Sequence, residues 1–219
     1  MDLATFRKNV EEDESWAPGW DEIDLGFSQI YGEQNPDHYG TEMTSRATFG
    51  GDQYLDGYSL FASPKGYRHI VTYGMSQLYA DEEALGGEFS KWGYEMTIKL
   101  PAKEARECEW ALNMLSNLAR YTFTSKRYFE PYQYIGGSGE SIHIGEPSKI
   151  TALLVVPDTE IAPRDSLYGR LEFLQLVGIT EEEFQQVKET PEKVHQLIES
   201  MKQDNPDLIT DMGRTKNYL

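Results

Sequence analysis

Four side-chain arrangements would give this chain chemistry to do: a metal cluster, a nucleophile with its base, a carboxylate pair in a cleft, or a backbone cradle for phosphate. The four histidines, His38, His69, His143 and His195, are scattered, with no HExxH and no Cys/His pair at zinc spacing. Cys108 is the single cysteine, so it closes no internal disulfide and builds no thiolate site alone, which points to a reducing compartment. Gly136-Gly137-Ser138-Gly139 lacks the Lys-Ser/Thr of a phosphate loop and the strand-to-helix setting of a nucleophile turn, and reads as a mobile loop. Carboxylates are abundant enough to fall in pairs by chance, so no constellation favours an acid hydrolase. No metal and no cofactor are expected. More informative are aromatic residues among acids: residues 1–24 hold eight carboxylates and two bases, with Trp16 and Trp20 embedded. Aromatic anchors ringed by negative charge suit a protein-binding surface for a basic partner, whereas the blander reading is a solvated acidic face.

The elements that must position such residues follow from periodicity. Ile23, Phe27 and Ile30 recur at helical spacing over Asp21 to Tyr31, ending at Asn35-Pro36. Two runs rich in aromatic and β-branched residues, Tyr54 to Phe61 and Tyr67 to Tyr73, flank Ser63-Pro64-Lys65-Gly66 and predict a β-hairpin. From Trp92 the alternation is clean, with Trp92, Tyr94, Met96, Ile98 and Leu100 on one face and Gly93, Glu95, Thr97 and Lys99 on the other, as in a half-buried strand. Cys108, Ala111, Leu112, Leu115, Leu118, Ala119 and Thr122 then fall on one helical stripe, widened by Trp110, Met114 and Tyr121, which predicts a central helix packed across a sheet with Cys108 in the core. Ile150 to Val156 and Leu171 to Val177 read as buried strands. Thr180 with Glu183 forms a capping box for one helix, and Thr190-Pro191 reads as the N-cap and first position of the next, which buries Val194, Leu197, Ile198 and Met201. The order predicts an α+β fold: a mixed, largely antiparallel sheet packed against helices, including one long central helix.

Composition bounds the function. With 20 Lys+Arg against 37 Asp+Glu the formal charge is −17, which disfavours nucleic acid and anionic membrane surfaces as partners. No signal-peptide pattern opens the chain and no apolar run approaches the roughly 20 residues of a bilayer span, so a cytoplasmic location is expected. The 219 residues suit a single domain, with residues 1–15 charged enough to form a flexible acidic extension.

Tyr54-Leu55-Asp56-Gly57-Tyr58-Ser59, His69 through Tyr79, and Trp92-Gly93-Tyr94-Glu95-Met96-Thr97 resemble the suppressor of fused family. Asn117 to Tyr121, Phe173 to Thr180 and Leu208 to Met212 continue the likeness in order, over roughly residues 16–215. The resemblance implies a non-enzymatic domain that binds proteins. Animal members sequester zinc-finger transcription factors, gripping an extended peptide between this domain and a C-terminal one that lies outside the likeness over residues 16–215. Stand-alone members are typically bacterial, and that likeness implies an immunity-type protein that neutralises a partner toxin by occluding it; the alternative is a cytosolic adaptor that sequesters another protein through an extended peptide. Either partner would be a protein, and a basic one on the charge argument. The segment matching the family's peptide groove supplies Tyr73, Ser76, Leu78, Tyr79 and Asp81, with His69 in the preceding strand. Asp81 matches a peptide-contacting aspartate, positioned to receive a basic or histidine side chain from a peptide added to a sheet edge; its structural alternative is to cap a turn before Glu82-Glu83.

Overall fold

The computed structural model describes residues 1–41, 55–136 and 139–219. Its strands are β1 (Asp37–Gly40), β2 (Gly57–Ala62), β3 (Arg68–Tyr73), β4 (Phe89–Leu100), β5 (Tyr134–Gly136), β6 (Ile150–Pro157), β7 (Arg164–Ser166) and β8 (Gly169–Thr180). The described helices are α1 (Leu3–Glu12), α2 (Pro18–Tyr31), α3 (Glu109–Ser125, entered through a 3-10 turn Ala105–Cys108), α4 (Glu181–Glu189) and α5 (Lys193–Asp204). One sheet runs in the order β1-β2-β3-β4-β8-β6-β5, with β7 also on β8; only the β4–β8 pair is parallel. This is the predicted α+β architecture.

The hairpin forms with Leu60 opposite Ile70, and Gly66 takes the positive φ of its turn. Tyr54 lies outside the described residues, as do Gly137 and Ser138 of the glycine-rich stretch. The stripe from Cys108 to Thr122 packs α3 across one sheet face, against Leu60, Ile70, Met96, Ile98, Val155 and Leu176. Burial pushes the Cys108 thiol up to about 11, so it is an inert core residue. The opposite face is covered in two parts: α2 sets Ile23 and Phe27 on Phe61, Val71 and Phe173, while α4 and α5 cover Ala152, Leu154, Val177 and Ile179.

Four expectations change. Residues 1–15 are not a loose extension: Asp2 caps α1 at the Thr5 amide, Phe6 is buried against Trp16, and Arg7 forks onto Glu82. Helix α2 begins earlier, with Pro18 in its first turn, while its end at Tyr31 is the expected one, set by Gly32 at a φ of 67°. The Thr180–Glu183 capping box is present, but Thr190 does not cap α5; Lys193 and Val194 donate to the carbonyls of Thr190 and Pro191 in a tight turn, and the helix starts after it. Most consequentially, β4 is not half-solvated: Glu95, Thr97 and Lys99 are as buried as Met96 and Ile98. The cause is the second layer of helices and loops over that face.

Candidate partner-binding face

The buried polar face of β4 shapes the segment after β3. Beyond Thr72 the two strands separate, and the Glu95 carboxylate fills the gap, accepting from the Gly74 amide (3.0 Å), the Ser76 amide (2.9 Å), the Ser76 hydroxyl (2.6 Å) and the Thr72 hydroxyl (2.7 Å). Burial pushes the Glu95 pKa up and these donors pull it back. One side chain therefore replaces several ladder bonds and fixes the course of residues 74–76. Helix α2 secures the next two: the Gly19 amide donates to the Leu78 carbonyl, and a Cβ at Gly19 would sit 1.8 Å from the Gln77 carbonyl oxygen, so only glycine permits the approach. Trp20 stacks on Tyr73 at 4.3 Å, and the Tyr73 hydroxyl donates to Asp24.

The loop surfaces after this anchorage. Tyr79 is 49% exposed and its hydroxyl donates to Asp56, while the Asp81 carboxylate accepts from the Glu83 amide, closing a turn ahead of Glu82 and Glu83. Tyr168 ties the loop to the β7–β8 turn, donating to the Tyr79 carbonyl and accepting from the Asp81 amide. The presented surface is an aromatic ring among carboxylates on a rigid loop.

Of the six residues singled out, the structure brings Tyr73, Ser76, Leu78, Tyr79 and Asp81 into this one segment, with Tyr79 and Asp81 at its surface. Tyr73, Ser76 and Leu78 are buried and serve as its supports. His69 stands apart, fully buried on the helix-covered face, with Nε2 2.9 Å from Asp158 and Nδ1 2.8 Å from the Tyr31 hydroxyl. β3 is flanked by β2 and β4, so it offers no open edge; among the described residues the strands paired on one side only are β1, β5 and β7. Sequence reasoning missed Glu95 as the loop's anchor. Its signal was a carboxylate on the polar side of an alternating strand, which reads as solvated unless the second layer is known.

His69 belongs to a closed ionic cluster. Lys99, with no exposed side-chain surface, lies 3.3 Å from Asp158 and 3.2 Å from Glu160, and Thr97 and Tyr67 donate to the same two carboxylates. His69, Lys99 and the hydroxyls hold both carboxyls well below their usual range despite burial, Glu160 at about 2. Paired carboxylates that hydrolyse a glycosidic bond need one acid raised towards neutrality and an open cleft; this pair has the reverse. Nearby, the chain's C-terminal segment enters between β4 and β8: Thr210 donates from its amide to the Lys99 carbonyl and accepts at its hydroxyl from Gly178, and Gln175 donates to the carbonyls of Asp207 and Leu208.

The fold and this face define a class: a mixed-sheet α+β domain that presents a preorganised acidic, aromatic loop. The family model described as Suppressor of fused protein (SUFU) matches residues 51–215, and the chain belongs to that family. It is 28% identical over 210 residues to the human Suppressor of fused homolog, covering 86% of this chain and 43% of the human protein, and 28% identical to the mouse homolog over the same extent. The chain thus spans less than half the length of these relatives. Among solved structures, a chain of the Sufu–Fu complex superposes with TM-score 0.77 at 25% identity over 92% of each chain, and Drosophila Suppressor of Fused with 0.78 at 25% identity over 92% of this chain and 51% of the other. A suppressor of fused homolog from Neisseria gonorrhoeae, at 13% identity and TM-score 0.60 over 92% and 97%, shares the fold.

Proposed function

We propose that this chain is a non-enzymatic protein-binding domain that acts as a cytosolic adaptor, sequestering a protein partner at the face formed by Tyr79 and Asp81. The observation that carries the reading is the anchored loop: the buried Glu95 carboxylate fixes Thr72, Gly74 and Ser76, and Tyr168 holds the backbone of Tyr79 and Asp81, so an exposed tyrosine and a half-buried aspartate are in place before any partner arrives. Preorganisation of this kind lowers the entropic cost of binding. Family membership supports it, as does a structural relative described in complex with Fu. Asp56, Asp81, Glu82 and Glu83 around Tyr79 favour a basic contact surface on the partner. The adaptor reading is preferred to toxin neutralisation, because the relatives named for function are suppressors of fused and the charge of −17 speaks only for a basic partner of either kind.

The test is affinity capture from the native cytosol with the wild-type chain, Tyr79→Ala and Asp81→Ala as parallel baits, at low and high salt. A regulatory protein retained by the wild type, lost from both variants and weakened by salt supports the proposal. Recovery of a secreted toxin domain instead would replace the adaptor role with immunity, and equal capture by all three baits would remove the Tyr79–Asp81 face from the interaction.

A further inference from the structure

The far end of the sheet carries a second surface that the loop face does not use. Among the described residues β5 is paired on one side only, with Ile135 opposite Leu153 on β6, and its other edge carries no strand. Tyr132 donates to the Val155 carbonyl and Val155 to that of Gln133; ladder alternation from there turns the backbone N–H and C=O of Tyr134 outward. Beside this edge runs the flank of α3 that the core does not absorb. A groove of about 700 Å³ lies between them, lined by Leu118, Tyr121, Arg127, Tyr128, Phe129 and Ile135 among others. Tyr121 is 43% and Tyr128 47% exposed. From the flank of the α3 stripe, Leu118 and Tyr121 line this groove, while Trp110 and Met114 pack against the core.

A helix beside an open strand edge is the geometry in which an extended peptide adds a strand by main-chain hydrogen bonds and drops alternate side chains into the groove. The charge here departs from that of the molecule. Arg127 follows Lys126, whose left-handed backbone ends α3; it is exposed and carries no ion pair among the described residues, in a chain with 37 acids to 20 bases. A guanidinium left without a carboxylate in so acidic a chain is available to one from outside.

We infer that the α3–β5 groove binds an extended peptide segment of a partner protein, with apolar side chains at alternate positions and an acidic side chain that meets Arg127. This surface is separate from the Tyr79–Asp81 face and does not rest on that assignment. The test is selection from a displayed library of random nonapeptides with the full chain as bait, followed by amide-shift mapping with the best synthetic peptide. Enriched peptides alternate apolar residues and carry an acid, and their shifts centre on Tyr134 to Gly136 and Leu118 to Tyr128. Arg127→Glu weakens the selected peptide about tenfold, and exchanging the peptide's acid for lysine restores binding to that variant. Asp81→Ala leaves the affinity unchanged, so failure of the loop assignment is distinguishable from failure here. No enrichment, shifts centred elsewhere, or no recovery in the charge exchange overturns the proposal. So does self-association in sedimentation that Leu118→Glu abolishes with the variant still folded, since the occupant would then be a second copy of the chain.

Discussion

The two faces of β4 are equally dry and differently built. On one, Tyr94, Met96 and Ile98 meet the apolar stripe of α3. On the other, Glu95 and Lys99 lie under α2, the Asp158–Glu160 segment and the C-terminal segment, every charge met by a partner. The apolar face gains from any close contact, because dispersion and burial are not directional. The polar face is stable only in one arrangement, because a misplaced partner leaves a buried charge unpaired. The first face supplies cohesion. The second specifies where the loop bearing Tyr79 and Asp81 runs.

This contrast can be broken in order of expected effect. Asp158→Ala strips Lys99 and His69 of a shared carboxylate and is expected to cost about 3–5 kcal/mol in urea denaturation, more than a cavity on the other face. Met96→Ala removes apolar volume and is expected to cost about 3 kcal/mol, with the rest of the core retained. A reversal of these two would show that the ionic face contributes less than its burial implies. Glu95→Gln, which keeps the shape but places an amide where donors converge, is expected to cost about 1–3 kcal/mol and to speed amide exchange at Gly74 and Ser76. If exchange there stays slow, the loop has another anchor.

Acid titration sharpens the same comparison. Asp158 and Glu160 have folded pKa values depressed below the ordinary 3.8 and 4.5. The unfolded chain therefore takes up protons first, so their contribution is complete above those values and is lost as pH falls through them towards about 2. Stability measured against pH is expected to fall over that window, and Asp158→Asn to flatten the fall. Smallest in stability are Tyr79→Ala and Asp81→Ala, expected to stay within roughly 1 kcal/mol because both side chains lie at the surface. Their effect belongs to partner capture.

Local signals in the sequence were sufficient for the hairpin, the α3 stripe and the Thr180–Glu183 capping box, because each depends on residues a few positions apart. They were sufficient also for the family, since its motifs stand in order along the chain. The edge strand β1 was not legible: its four residues are largely exposed and show no apolar alternation. The docking of α1 was hidden because Arg7 and its partner Glu82 lie 75 residues apart. For the candidate face, the sequence supplied Tyr79 and Asp81 through the resemblance, but not which of the six residues reach the surface.

The sequence by itself determined the hairpin, the α3 stripe, the buried strands β4, β6 and β8 and the class of fold, because periodicity, capping and turn chemistry act over one or two turns of chain. Only the tertiary structure decided that Glu95, His69 and Lys99 are buried, that β4 and β8 run parallel, and that β3 is flanked on both sides by β2 and β4. The physical reason is that a polar side chain's role depends on what covers it. His69 and Asp158 are 89 residues apart in the chain and 2.9 Å apart in space.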